Sequence, residues 1–288
     1  MRTLAAQTLL PVNTALAVAL LVLLLAAATA AAVFRLAPDG SRDRAREIAV
    51  AGVRATAQLA AASLVIAWVV HHTAALYAFL LLMFAVATRT AGRRVTPNST
   101  WWWAALPVAG PVVPVVAGLT LAGLLPVRGV AMIPVTGILI GGALTATVLA
   151  GRRALDELHT RYGEFEAGIA LGLPDHDARI EVIRPAASDA LLPGLDQTRT
   201  VGLVTLPGAF VGMLLGGASP AMAGAVQLFV LIALMAVQAI AVALTVELVA
   251  HGRLHRTAPT PSGPSTPPAP PTPSAPSAPS RGTSPPSR

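Results

Sequence analysis

The chain has 288 residues, 55% of them hydrophobic and only 11% charged, where an ordinary soluble domain carries roughly a quarter charged residues, so the composition argues against a water-soluble globule. The net charge is +7, all 20 basic residues are arginine and cysteine is absent, which excludes disulfides, cysteine-ligated metal centres and cysteine nucleophiles. A basic balance raises nucleic acid as a partner, but with 4% aromatics and long blocks of Ala, Val and Leu the pattern favours a membrane and no nucleic acid.

A hydrocarbon core of about 30 Å takes about 20 apolar residues per helix. Stretches of that kind run over 12–34, 53–71, 73–88, 101–125, 129–151, 201–218 and 221–249. The first ends in an Ala-rich run like a signal peptide, but its basic residues, Arg35, Arg42, Arg44 and Arg46, follow the apolar stretch instead of preceding it; it is read as a span. Arg54 opens the second, where a long side chain can snorkel to the interface. His71 and His72 stand at that span's outer end, adjacent in sequence and hence on different faces of a helix, which suits interfacial residues better than a metal pair. Between the fifth and sixth spans, segment 152–199 holds nine of the 13 acidic residues. Past Arg256 the composition turns to Pro, Ser, Thr and Ala, so 257–288 is expected to be a disordered tail with local polyproline II character, following a transmembrane domain over 1–256.

Short loops rich in arginine stay cytoplasmic. With the amino terminus outside, 18 of the 20 arginines fall inside, leaving only Arg2 and Arg128 outside. The expected fold is therefore an all-α polytopic membrane protein of about seven transmembrane helices, with the N-terminus outside and the C-terminus cytoplasmic. Of the acids only Glu247 lies within a span, and no constellation of Asp, His or Ser–His is arranged for proton or metal chemistry, which disfavours a membrane enzyme. Without lysine there is no phosphate-binding loop, so any ATP hydrolysis belongs to another chain.

The loop 152–199 carries Glu166–Ala167–Gly168–Ile169–Ala170–Leu171–Gly172–Leu173–Pro174. Ala167, Ala170 and Leu171 would give a short helix a small apolar face, and Gly172 followed shortly by Pro is a helix-ending signal. The pattern resembles the coupling motif by which ABC permeases dock on their ATPase; an ordinary amphipathic interfacial helix would show the same spacing.

The block after it carries further motifs. Asp196–Gln197–Thr198–Arg199–Thr200–Val201–Gly202–Leu203–Val204–Thr205–Leu206–Pro207–Gly208, then Gly212 and Gly216–Gly217–Ala218–Ser219–Pro220, resembles the signature of the Fet-type iron-export ABC permeases, among whose relatives are plant aluminium-tolerance permeases. Ile133–Pro134–Val135–Thr136–Gly137 through Gly141, Leu171–Gly172, Ala190–Leu191–Leu192–Pro193 and Gln58–Leu59 match the same family. The resemblance covers about 130–250. It implies a permease at the cell membrane, paired with a cytoplasmic ABC ATPase that holds ATP and Mg²⁺, with no cofactor on this chain. Gly142 stands where the bacterial family commonly has Asn, and Ala209–Phe210 where it commonly has Met-Met, which removes polar handles for a metal.

On these grounds Glu166, Ala167, Gly168, Leu171, Gly172, Leu192 and Pro193 are the expected ATPase-coupling residues. Met132, Pro134, Thr136, Thr145, Thr205, Pro207, Met213 and Gln227 are substrate-path candidates, because prolines free carbonyls and hard ions take oxygen ligands. Gly137 and Gly141, with Gly208, Gly212 and Gly216, recur at spacings of four, lining helix faces that another backbone can approach; a homodimer seam or the translocation path is expected there. The reading is an ABC permease exporting a metal ion such as iron. The alternatives are an ABC permease for a non-metal solute and a stand-alone sensor or scaffold whose basic face binds anionic membrane lipid. A topology reporter fused after Gly252 is expected to be active in the cytoplasm; activity only outside the cell would refute the orientation.

Overall fold

The structure, a computed structural model, describes residues 14–36, 43–69, 72–126 and 129–256. Arg2, Arg42, His71, Arg128 and the 257–288 tail lie outside the described residues. The chain runs through α1 (Thr14–Val33), α2 (Asp43–Val69), α3 (Thr73–Val95), a 3-10 segment (Ser99–Ala104) leading into α4 (Ala105–Leu121), then α5 (Gly129–Thr160), α6 (Tyr162–Ala170), α7 (Asp175–Ser188), α8 (Leu192–Thr200), α9 (Gly208–Leu215) and α10 (Pro220–Ala250). Among the described residues there is no strand, only an isolated bridge between Val201 and Thr205. The fold is all-α, as a membrane demands, since a helix satisfies its own backbone where no water can.

Among the described residues six stretches are long and apolar enough to cross a membrane: Thr14–Val33, Arg44–Val69, Thr73–Val95, Ser99–Leu121, Ala131–Thr160 and Pro220–Ala250. The helices outrun the apolar stretches at their charged ends. Arg44 pairs with Glu47 at 2.5 Å in the first turns of α2, and α5 continues through Arg152, Arg153 and Asp156 to Thr160. The expected continuous span over 201–218 is not found. Its only helix is α9, eight residues or about 12 Å long, preceded by a turn with Gly202 in the left-handed region at φ 83°.

Helix register explains why this stretch matters. Gly137 of α5 meets Met83 of α3, while Gly151 further along meets Val95, so α3 and α5 run parallel. Gly142 meets Leu234 and Gly151 meets Thr245, so α5 and α10 are parallel too, whereas Gly110 near the start of α4 meets Leu244 near the end of α10. The ends of α3, α5 and α10 gather at one arginine-rich end. There Arg256 bonds Asp156 and donates to the Val95 carbonyl at 3.3 Å, and Thr96 Oγ1 and Asn98 Nδ2 donate to the His255 carbonyl at 2.8 and 2.7 Å. The Arg253 guanidinium lies 4.5 Å over the Trp103 ring at the same end, an aromatic position suited to a membrane interface.

The chain thus leaves α5 at one end of the bundle and enters α10 at the other. Residues 161–219 return in steps: α7 packs on the ends of α5 and α10, α8 on the middle of α10 through Gly194 and Gln238, and α9 beside the first turns of α10 through Phe210 and Gly224. Val108 and Val112 of α4, Leu139 of α5, Ile183 of α7 and Val237 of α10 are fully buried in the shared core. Among the described residues the α1–α2 hairpin buries only Ala31 and Val69, the latter against Leu76 and Met132, and α2 exposes Leu59 and Leu64 broadly. Such a face suits lipid, not water. His72 stacks on Trp68 with ring centroids 4.9 Å apart and its Nδ1 lies 3.1 Å from the Trp68 carbonyl, in keeping with an interfacial residue.

Gly92 of α3 marks the tightest approach. A methyl group there would stand 2.0 Å from the Trp101 carbonyl oxygen, whereas one on Gly118 would meet nothing within 4 Å. Gly92→Ala is therefore expected to lower the thermal unfolding midpoint of the detergent-purified protein, by the about 1–3 kcal/mol typical of overpacking, while Gly118→Ala leaves it unchanged or raised.

Candidate functional site

Two regions carry the residues singled out in the sequence, and they lie far apart along the fold. The first is the α6–α7 elbow beyond the end of α5. Arg161 opens α6 by bonding Glu157 at 3.2 Å and Glu164 at 2.7 Å, and this pairing holds the Glu164 carboxyl below its ordinary range. Phe165 is the buried residue of α6, with Arg179 5.4 Å over its ring, and Gly168 lies against Ala178. The helix ends because Gly172 adopts φ 91°, which lets Leu173 N–H reach the Gly168 carbonyl at 3.1 Å and Gly172 N–H the Ile169 carbonyl at 2.9 Å. This paired closure satisfies the last carbonyls of the helix. Beyond the buried side sits an apolar tip: Ile169 and Leu173 are exposed, and Leu171 is 87% exposed.

The elbow is tied to α10 through α7. Arg179 bonds Asp175 at 2.9 Å and donates to the Ala250 carbonyl at 3.3 Å. His176 lies between two carboxylates, Nδ1 at 2.9 Å from Asp177 and Nε2 at 2.9 Å from Glu247, and these bonds, Asp177 foremost, raise its pKa. Glu247, the acid expected inside a span, is therefore half exposed near the end of α10 and engaged with α7.

The second region is the interrupted return. After α8, the N–H groups of Leu203, Val204 and Thr205 all turn back to the Thr200 carbonyl, and Gly202 N–H bonds the Thr205 carbonyl at 2.9 Å. Pro207, which has no N–H, then caps α9. Between this turn and α10 lies a cavity of about 260 Å³, walled by Val201, Leu206, Pro207, Phe210, Gln227 and Leu231 among others. Gln227 is 5% exposed, and its side-chain oxygen has no hydrogen-bond partner among the described residues. The same holds for Thr136 Oγ1, which the parallel register of α5 and α10 carries to the level of Gln227. Unpaired buried oxygens are costly and are the donors a hard cation would take.

The structure brings Gln227 and Pro207 together at the cavity and leaves the other path residues dispersed. Met132 packs with Val69, Leu76, Leu80 and Ile133. Thr145 spends its hydroxyl on the Gly141 carbonyl at 2.9 Å; Thr205 is exposed in the turn, Met213 half-buried on α9, and Pro134 exposed within α5. Glu166, Ala167, Leu171 and Gly172 are exposed together on the elbow, Gly168 faces Ala178, and Leu192 and Pro193 are exposed at the start of α8, a separate element. Gly137 lies against Met83. Methyl groups on Gly141, Gly208 or Gly212 would meet nothing within 4 Å, and one on Gly216 would meet only its own helix. The sequence reading missed Phe210 and Gly224 as cavity walls and His176 as a tie to α10. The Glu247–His251 spacing of four on one helix was a readable sign of the last, but its partner lies 71 residues earlier.

The model of the uncharacterised protein family UPF0014 matches residues 13–253. The chain is similar to Protein ALUMINUM SENSITIVE 3 of Arabidopsis thaliana, 34% identical over 52% of this chain and 56% of that protein. It is similar also to UPF0014 membrane protein STAR2 of Oryza sativa subsp. japonica, 33% identical over 66% of this chain and 67% of that one. To the probable iron export permease protein FetB of Escherichia coli it is 30% identical over 40% of this chain and 46% of the other. The match thus spans little more than half of the Arabidopsis protein's length. No solved structure matches.

Because the Gln227 oxygen has no partner among the described residues, Gln227→Leu removes a buried unpaired polar group at little change in volume. A gain of about 1–3 kcal/mol, read as a raised unfolding midpoint, is the expected outcome; a lowered midpoint would show that the amide holds a partner.

Proposed function

The chain belongs to the UPF0014 family of membrane proteins, and on that premise we propose that it is the membrane-spanning permease subunit of an ABC transporter at the cell membrane. It exports a metal ion such as iron, with ATP and Mg²⁺ held by a separate cytoplasmic ATPase subunit. The observation that carries the reading is the α6 tip. Ile169, Leu171 and Leu173 are exposed together at the tip of an elbow whose other residues are largely charged, and a groove on a partner would cover them. Closure of the partner pulls on the elbow, and α7 passes the motion to α10.

The cargo route follows the interrupted return. Seven crossings result when the α8–turn–α9 segment is counted with the six long helices, which places α1's start outside and the arginine-rich end in the cytoplasm. Broken backbone at membrane depth is tolerated only against protein or a water-filled path, and broken helices serve as ion sites in other transporters. The unpaired Gln227 oxygen at the cavity wall, with that of Thr136 at the same level of α5, offers few and weak donors, which suits release on the far side better than tight capture. The open faces at Gly141, Gly208 and Gly212 support pairing of two copies along this path.

The test is Leu171→Asp. Reconstituted with its ATPase partner, the variant is expected to lose partner-stimulated ATP hydrolysis, and cells carrying it to retain more iron, while its unfolding midpoint stays that of the unaltered chain. Unchanged coupling would refute docking at α6.

A further inference from the structure

Apart from the cavity and the α6 tip, one group of metal-ligating side chains stands where α7 meets the last turns of α10. His176, Glu247 and His251 each offer a ligand atom, and these atoms lie within 4.8 Å of one another. His176 Nε2 is 2.9 Å from Glu247 Oε2, the same oxygen is 3.5 Å from His251 Nδ1, and the two imidazole centroids are 4.5 Å apart. Two donors that bind one ion at about 2.0–2.2 Å stand about 3–3.5 Å apart; His176 Nε2 and Glu247 Oε2 are already near that separation, and a rotation of the adjacent His251 ring brings its Nε2 to the same ion.

The outer contacts are those of a ligand set. His251 Nδ1 lies 2.8 Å from the Glu247 carbonyl, an acceptor only, so Nδ1 carries the proton and Nε2 keeps its lone pair. His176 Nδ1 is likewise held at 2.9 Å by the Asp177 carboxylate, which directs Nε2 toward Glu247. A carboxylate or carbonyl behind each ligating imidazole fixes the tautomer and strengthens the donor. Two imidazoles and one carboxylate select Fe²⁺, Co²⁺, Ni²⁺ or Zn²⁺ over Mg²⁺ and Ca²⁺, which take oxygen.

We infer that His176, Glu247 and His251 bind one divalent first-row transition-metal ion that joins α7 to the end of α10. Glu247 and Gln227 are separated by about 30 Å of helix, so this is not the cavity site. Because α7 is the base of the α6 tip, the bound ion stiffens the link between the elbow and the helix that lines the cavity. The inference does not depend on the permease reading, since its readout is binding to this chain alone.

The experiment titrates the full-length protein, in detergent or nanodiscs, with Co²⁺ and follows its visible ligand-field absorption. A saturating signal at one ion per chain, displaced by Zn²⁺, is expected. His251→Ala, His176→Ala and Glu247→Gln are expected to weaken binding at least about tenfold, and Asp177→Asn, which leaves all three ligands in place, by about 10–100-fold. Asp177→Asn keeps the test decisive if a ligand variant misfolds. His72→Ala, His159→Ala and His255→Ala are expected to bind as the unaltered chain does. Absence of saturation, or the same affinity in the four cluster variants as in the controls, would overturn the site.

Discussion

The parallel packing of α5 on α10, with α3 parallel to both, sets the rest of the molecule. Helices adjacent in a bundle most cheaply alternate direction through short loops, as α3, α4 and α5 do. Two parallel neighbours need a return path, and here it must travel the length of a helix of 31 residues. The chain makes that journey in pieces, α6 and α7 at the arginine-rich end, α8 halfway, α9 at the opposite end. Every feature with a functional reading lies on this path or faces it.

Breaking the return into short helices has an energetic logic. A continuous apolar helix would satisfy its backbone and offer nothing polar to a passenger. Interrupting it at Gly202 and Pro207 leaves a cavity beside Gln227, whose oxygen remains unpaired among the described residues. Contacts along the path are close where small residues permit them. A methyl on Gly194 of α8 would stand 2.1 Å from Gln238 Oε1, so any tilt of α10 is felt by α8.

Much of this was legible in the residues. Apolar length marks six of the helices, Gly172 marks the end of α6, and the exposed Ala167, Ala170 and Leu171 follow from the pattern Glu-Ala-Gly-Ile-Ala-Leu-Gly. The stretch 201–218 misled because hydropathy counts composition and not backbone direction; a broken crossing and a continuous one have the same apolar content, and only Pro207 with Gly202 hinted at the difference. Helix boundaries were set too short at the charged ends, since Arg44 and Asp156 stay helical by pairing with Glu47 and Arg256. Of the tie from His176 to Glu247, only the Glu247–His251 spacing was readable. The tie joins residues far apart in the chain, and only the parallel register of α5 and α10, with α7 folded back across both, brings them into contact.

The exclusive use of arginine at the gathered helix ends has a consequence for how firmly the protein is held. A lysine pressed against hydrocarbon can give up its proton and follow the chain inward, whereas a guanidinium stays charged under all conditions a protein meets. Arg93, Arg152, Arg153, Arg253 and Arg256 set five guanidinium groups at the gathered ends of α3, α5 and α10. Turning the molecule end for end, or letting an arginine-bearing turn slip into the bilayer, means carrying those guanidinium groups through hydrocarbon.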